Sequence, residues 1–379
     1  MSMLLIRNAQ VHAPEPLGRL DLLIGAGRIL AMAERLEPGL PVTVLDAQDA
    51  IACPGYVDSL VHLTGGGGEG GFATRTAALD PADAIAAGVT TLIGALGTDD
   101  VTRSHADLLA AARALAVHGL SGYVLTGSYR VPARTLTGSV RDDLVLVPDI
   151  IGVGEVAIAD HRGSHPSVQE LARLAADARV GAMLAGKRGT VLVHVGDGEE
   201  ALDLLHAVVD RHPLPAAQFH PTHLNRNARL LQRARGWIER GGSVDLTAST
   251  TPALISAGDI PAARALAGLL AEGLPVSRIS ISSDAQGSLP HFDAQGRLLQ
   301  LEAAPVSSLH AAVRSAVLEH GVPLRMALAT VTETPAAIWG LERKGRLRPG
   351  GDADLLLLDP HSLELRATIA GGIAHAVRE

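Results

Sequence analysis

The chain has 379 residues, 47% of them hydrophobic, which is enough for one large α/β domain with a small appendage and excludes a disordered chain. Three Phe, two Trp and three Tyr leave the core to aliphatic residues, and a formal charge of −8 without clustered Lys and Arg argues against a nucleic acid partner. Cys53, the single cysteine, excludes an internal disulfide and a cysteine-rich zinc site, and no run reaches membrane-spanning length, so a cytoplasmic protein acting on small molecules is expected.

In chain order, Leu4–Ala9, Asp21–Met32 and Val42–Asp46 read as short strands separated by turns. The segment from Gly345 to Asp359 and the run Leu363–Ile369 have the same texture at the far end. Residues 1–54 and 345–379 are therefore expected to combine into one small β-sandwich, with two independent β-caps as the alternative. Between them, residues 55–344 alternate apolar runs with helical patterns. The candidate strands are Tyr56–Leu60, Thr90–Ala95, Gly122–Leu125, Ile150–Gly154, Thr190–His194, Gln218–Phe219 running toward His223, Ser243–Leu246 and Arg278–Ser282. Segments Ser104–Val117, Ser167–Ala185, Glu199–Val209, Ala228–Arg240 and Pro261–Ala271 carry apolar residues at helical spacing. Continuously apolar strands suit a parallel sheet covered by helices, and eight such units fit a (β/α)8 TIM barrel of about 290 residues.

His62, Glu155, His194, His223 and Asp284 each stand where an apolar run gives way to Gly-rich polar sequence. In a barrel that is the C-terminal end of a strand, where catalytic residues project. His194 and His223, one unit apart, aim two imidazoles at one side of the mouth, which suits Zn2+ or a similar ion, and Glu155 could add an anionic oxygen. His220 is a competing ligand, separated by proline from the strand-end pattern. Asp284 could take a proton from an activated water and pass it to a leaving amine, or simply cap a loop. The glycine run Gly65–Gly68 suits a loop whose backbone approaches a ligand closely, and it lacks the Lys-Ser or Lys-Thr of a phosphate loop.

These residues resemble the amidohydrolase superfamily, and within it the isoaspartyl (β-aspartyl) dipeptidases. The segments that carry the resemblance are His62–Glu69, Leu125–Pro132, Asp160-His-Arg162, His220–Asn227 and Ser283–Ser288, with further similarity near both ends. The resemblance implies a metallo-dipeptidase that hydrolyses the isopeptide-like amide of β-aspartyl dipeptides with a metal-activated water, in a higher homo-oligomer. It also implies roles: Glu69 holding the free α-ammonium, Arg162 and Arg226 gripping carboxylates, Tyr129 polarising the scissile carbonyl, and Gly67, Thr98 and Ser288 completing the substrate contacts.

Two departures stand out. Leu60 occupies the first histidine position of the family's His-X-His motif, and Glu155 stands where many members carry a carboxylated lysine. Similar changes occur in N-acetylglucosamine-6-phosphate deacetylases, which implies one tight ion on Glu155, His194 and His223. A second ion on His62, Glu155 and Asp284 is then expected to bind weakly or not at all. Two alternatives stay open: another amidohydrolase, such as an N-acyl deacetylase or cyclic-amide hydrolase, and a catalytically silent binding relative.

Overall fold

The computed structural model describes residues 3–39, 41–292, 295 and 297–376. The strands are β1 (Met3–His12), β2 (Pro16–Gly25), β3 (Arg28–Ala33), β4 (Val42–Asp46), β5 (Ile51–Pro54), β6 (Tyr56–Val61), β7 (Val89–Gly94), β8 (Ser121–Thr126) and β9 (Ile150–Ile158). They continue with β10 (Thr190–Val195), β11 (Phe219–Thr222), β12 (Val244–Thr247), β13 (Ile279–Ser282), β14 (Ser288–Phe292), β15 (Leu298–Ala303), β16 (Leu355–Leu358), β17 (Leu365–Ala370) and β18 (Ile373–Ala376).

β1 to β5 and β16 to β18 hydrogen-bond into one mixed sheet, in the order β18-β17-β16-β5-β1-β2-β3, with β4 alongside β1. The antiparallel pairing of β5 with β16 joins the two chain ends, so they are not independent caps. One face of this sheet buries an aliphatic cluster of its own, including Ile6, Leu22, Leu355 and Ile369.

β6 to β11 form a parallel sheet in sequence order, and β12 and β13 form a parallel pair. Backbone hydrogen bonds join them at both edges: Leu224 N to Asp245 O at 3.3 Å and His62 N to Ala285 O at 2.8 Å. The arrangement is a barrel-like α/β domain beside a separate β domain. β6, β7, β9 and β10 are buried along their whole length, as the apolar runs predict, because helices cover the outside and side chains fill the inside. Val57, Leu60, Ile93, Leu125, Ile151 and Leu192 pack inside around Trp339, whose indole N–H donates to Ser59 Oγ at 3.1 Å. Trp339 comes from the helix Glu333–Trp339, whose Ile338 carbonyl accepts from Thr190 Oγ1 at the start of β10 at 2.9 Å.

The helices start where side-chain caps supply an acceptor to the free N–H groups. Ser104 caps His105–Ala114, and Ser167 forms a capping box with Glu170 at the start of Val168–Ala185. Several predicted boundaries differ: the strand expected over Asp21–Met32 is two, β2 and β3, paired antiparallel across a turn at Ala26-Gly27. The helix expected over Glu199–Val209 runs from Asp203 to Arg211, and the strand expected to end at Gly154 continues to Ile158, because Val156-Ala-Ile keeps it in the buried sheet. No helix among the described residues is long and apolar enough to cross a membrane.

Candidate active site

Glu155 lies inside β9, not at its end, and a bulge aims it. The pairing of β9 with β10 advances from Val153 to Val156 while β10 advances only from Val191 to Val193, so one extra residue is accommodated at Gly154–Glu155. Only glycine fits at 154: its φ is 149°, and a Cβ there would stand 2.8 Å from both Cβ and O of Leu192. The bulge turns the Glu155 side chain toward its neighbours across the mouth.

Glu155 Oε1 is 2.8 Å from His194 Nδ1 and 3.0 Å from His223 Nε2. One donor atom from each of the three residues falls within a 4.8 Å cluster, and all three residues are buried. The outward nitrogens are occupied elsewhere. His194 Nε2 lies 2.9 Å from Asp160 Oδ2, and His223 Nδ1 lies 2.6 Å from Thr247 Oγ1. Burial and the nearby Arg226 charge push the His223 imidazole down to about 4, so at neutral pH it presents a lone pair. Burial opposes charge on Glu155, but the facing His194 and the hydrogen bonds to both rings hold its carboxyl well below the usual range. An anionic oxygen and two inward ring nitrogens thus converge on a point that requires positive charge.

Glu155 Oε2 is buried with no hydrogen-bond partner, and 4.0 Å away is His62 Nε2. His62 Nδ1 is 3.2 Å from the Ala95 carbonyl, which can only accept, so Nδ1 carries the proton and Nε2 faces inward. Nε2 is also 3.2 Å from Asp284 Oδ1. Burial disfavours charge on His62, yet the Asp284 carboxylate and, behind it, Glu155 raise its pKa above the ordinary value. His223 and Asp284 follow the ends of β11 and β13 in left-handed backbone, with φ of 66° and 55°, which turns both side chains out of the strand direction.

Around this centre, Tyr129 is 7% exposed, and its hydroxyl lies 2.8 Å from His194 Nδ1. Burial, reinforced by Glu155, raises its pKa well above the ordinary value, so it is a neutral donor. Arg162 stacks its guanidinium 5.4 Å from the Tyr129 ring centroid and makes two-pronged contacts with Asp160. Its other terminal nitrogen reaches Glu69 Oε1 at 3.5 Å, where Thr98 Oγ1 also donates at 2.8 Å. Arg226 NH1 is 3.3 Å from His194 Nε2 and donates to the Val195 carbonyl at 3.2 Å. The structure therefore brings together His62, Glu69, Thr98, Tyr129, Glu155, Arg162, His194, His223, Arg226 and Asp284. Gly67 and Ser288 are joined to that network by no side-chain hydrogen bond among the described residues: Gly67 bridges to Arg75, and Ser288 opens β14 opposite Ala303.

His220 is not a competing ligand. Its ring is fully buried inside the barrel, with Nδ1 2.9 Å from Ser243 Oγ and Nε2 3.0 Å from Ser280 Oγ. Asp160, to which the sequence assigns no role of its own, holds both His194 and Arg162. Its place just beyond the end of β9 is the one signal that could have found it. Leu60 is fully buried in the barrel's inner apolar cluster and offers no ligand atom.

The family model for the amidohydrolase family matches residues 51–375. The chain belongs to the amidohydrolase family. Within it, the resemblance is to β-aspartyl dipeptidases. A crystal structure of the β-aspartyl dipeptidase of Fervidobacterium islandicum AW-1 in complex with β-Asp-Leu dipeptide is 39% identical, with a TM-score of 0.91 over 98% of this chain and 96% of that one. A second structure of a β-aspartyl dipeptidase from that organism is 37% identical, with a TM-score of 0.90 over 99% and 97%. Among curated relatives, the dihydroorotase of Lactiplantibacillus plantarum is 27% identical over 413 residues, covering 96% of this chain and 90% of its own length.

For this amidohydrolase the donor set fits a divalent metal. Carboxylate and imidazole are ordinary ligands for zinc-like ions, the two outer ring nitrogens are already engaged, and the orphaned Glu155 Oε2 is left on the side of His62 and Asp284.

Proposed function

We propose that the protein is a metal-dependent hydrolase of β-aspartyl dipeptides. The observation that carries this reading is the convergence of Glu155, His194 and His223 beside Tyr129, Arg162, Arg226 and Glu69 in a chain so similar to β-aspartyl dipeptidases. The eight parallel strands read as one (β/α)8 barrel over residues 55–344, and the mixed sheet reads as a small β-sandwich of residues 1–54 and 345–379.

Glu155, His194 and His223 would hold one ion, and zinc suits their mixed nitrogen and oxygen donors. Such an ion, when bound, supplies Lewis acidity and makes a nearby water nucleophilic near neutral pH. His62 and Asp284, with Glu155 Oε2, offer fewer imidazoles because Leu60 stands at the remaining position, so a second ion would bind more weakly. Asp284, at 18% more exposed than Glu155 at 1%, takes the proton of the attacking water and returns it to the leaving amine. The Tyr129 hydroxyl donates to the carbonyl oxygen as negative charge develops there. Arg162 and Arg226 grip carboxylates, Glu69 pairs with the free α-ammonium, and Gly67, Thr98 and Ser288 complete the pocket. A cytoplasmic setting and a higher homo-oligomer belong to the same proposal.

The test is elemental analysis of purified protein assayed with β-Asp-Leu and α-Asp-Leu. One tightly held ion per chain and turnover of β-Asp-Leu alone are expected. Two equally tight ions would overturn the metal assignment, and equal turnover of both isomers would overturn the substrate assignment.

A further inference from the structure

The substrate loops are joined by a residue to which the proposed mechanism gives no part. Arg103 ends the loop after β7, one residue before the Ser104 cap. It is only 6% exposed. Its guanidinium donates to three backbone carbonyls of the glycine-rich segment: Thr64, Gly66 at 2.8 Å and Thr76 at 3.4 Å. None of the three acceptors is a carboxylate, and Nε is buried without a hydrogen-bond partner. A buried cation spent on main-chain oxygens fixes backbone geometry, because a planar fork satisfies divergent carbonyls only in one arrangement.

That segment carries Glu69. Its glycines at 65, 67 and 68 have φ of 83°, 70° and 104°, conformations that give the loop little rigidity of its own. It is fixed from outside. Thr76 Oγ1 accepts from Gly66 N at 2.7 Å and donates to the Gln286 carbonyl at 2.5 Å, while Arg103 holds the carbonyls on either side. The same loop after β7 also sends Thr98 to Glu69 and Asp100 to Ser128 and Arg130, the two neighbours of Tyr129. One loop therefore sets the Glu69 backbone, the Glu69 side chain and the Tyr129 turn.

We propose that Arg103 is a positioning residue for the α-ammonium site: by clamping the glycine-rich segment it places Glu69, and so sets the preference for dipeptides with a free α-ammonium group. The proposal rests on the dipeptidase reading of Glu69. Succinyl-leucine, which is β-Asp-Leu without the α-ammonium, separates the two. The ratio of kcat/KM for β-Asp-Leu to that for succinyl-leucine is measured in the metal-loaded wild-type protein and in E69Q, R103M, R103K and the E69Q/R103M double variant, with metal content and thermal unfolding followed alongside.

The preference is expected to fall in E69Q, and to fall about ten-fold or more in R103M, the scale of one hydrogen bond to a charged group lost to misplacement. R103K should retain part of it, metal content should hold, and the double variant should lose little beyond E69Q alone. If R103M lowers activity on both substrates equally, or changes nothing while E69Q loses preference, Arg103 does not position Glu69 and the proposal fails. If E69Q itself keeps the preference, the ammonium reading of Glu69 falls and this proposal falls with it. Where R103M does not fold, R103K carries the test: a preference between those of wild type and E69Q supports the proposal, and an unchanged one overturns it.

Discussion

His220 and His223 are three residues apart, yet one ring belongs to a closed polar network and the other to an open one. Inside the barrel, Ser280 Oγ donates to Asp245 Oδ1 at 2.5 Å, so the same hydroxyl oxygen accepts from His220 Nε2 and leaves Ser243 to donate to Nδ1. Ser282 and Thr222 supply the other Asp245 oxygen at 2.5 and 2.8 Å. Every acceptor there meets a proton. At the mouth, Glu155 Oε1 meets ring nitrogens whose partners are already Asp160 and Thr247, and Glu155 Oε2 has no hydrogen bond, with His62 Nε2 4.0 Å away. Both layers use histidine, carboxylate and hydroxyl groups. What sets the mouth apart is the buried Glu155 oxygen left without a hydrogen bond, not the residue types.

The largest effect should come from carrying one substitution into each layer. Glu155→Ala removes the anionic donor, and kcat/KM for β-Asp-Leu should drop at least about a thousand-fold, since a bound Lewis acid supplies several kcal/mol. Bound metal should fall with it. Asp245→Asn keeps the shape of the interior network, so it should retain metal and most activity while losing thermal stability. Steady-state kinetics and elemental analysis of the two variants check this, and equal metal loss in both would erase the distinction between the layers.

A smaller effect is expected from the link that keeps the mouth open. Burial opposes its charge, yet hydrogen bonds from His194 and Arg162 hold the Asp160 carboxyl well below the usual range, and it directs the His194 Nδ1 toward Glu155. Asp160→Asn should weaken metal binding by about 10- to 100-fold, the usual cost of removing a histidine's carboxylate partner. Competition with a fluorescent chelator reads that affinity without any turnover, and an unchanged dissociation constant would mean that His194 is oriented by its packing alone.

Much of this was legible in the sequence because the barrel repeats one physical rule: an apolar run needs burial on both faces, and the polar residue after it projects from the mouth. That rule found His62, His194, His223 and Asp284. It located Glu155 for an incomplete reason, since β9 runs on to Ile158 and a bulge at Gly154, not the strand's end, turns the side chain. Asp160 was part of a recognised segment but without a role, and Arg103 had none, because their partners, His194 and the Thr64–Thr76 segment, are distant in sequence and carry no shared local pattern. The pairing of β5 with β16 was suggested only by similar texture at the two ends.

The smallest effect tests whether the interior layer is closed as described. Burial pushes the His220 imidazole down to about 3 from an ordinary 6.5, so the folded protein keeps it neutral where the unfolded chain protonates it. Below pH 6.5 the unfolded state then binds the extra proton, and stability falls as pH drops from 6.5 toward 3. Asp245, 4.0 Å from Nε2, does not rescue the ring, because burial holds its own carboxyl up to about 6 and it becomes neutral over the same range. Asp245 and the buried Asp58, held up to about 7, work in the opposite direction, taking up protons in the folded state and adding stability as pH falls. His220→Gln keeps a donor and an acceptor but removes the titration. It should therefore lose less stability than the wild type between pH 6.5 and pH 4, by on the order of 3 kcal/mol. Urea unfolding across that range checks it, and parallel pH profiles for the two proteins would mean that His220 is already charged in the fold.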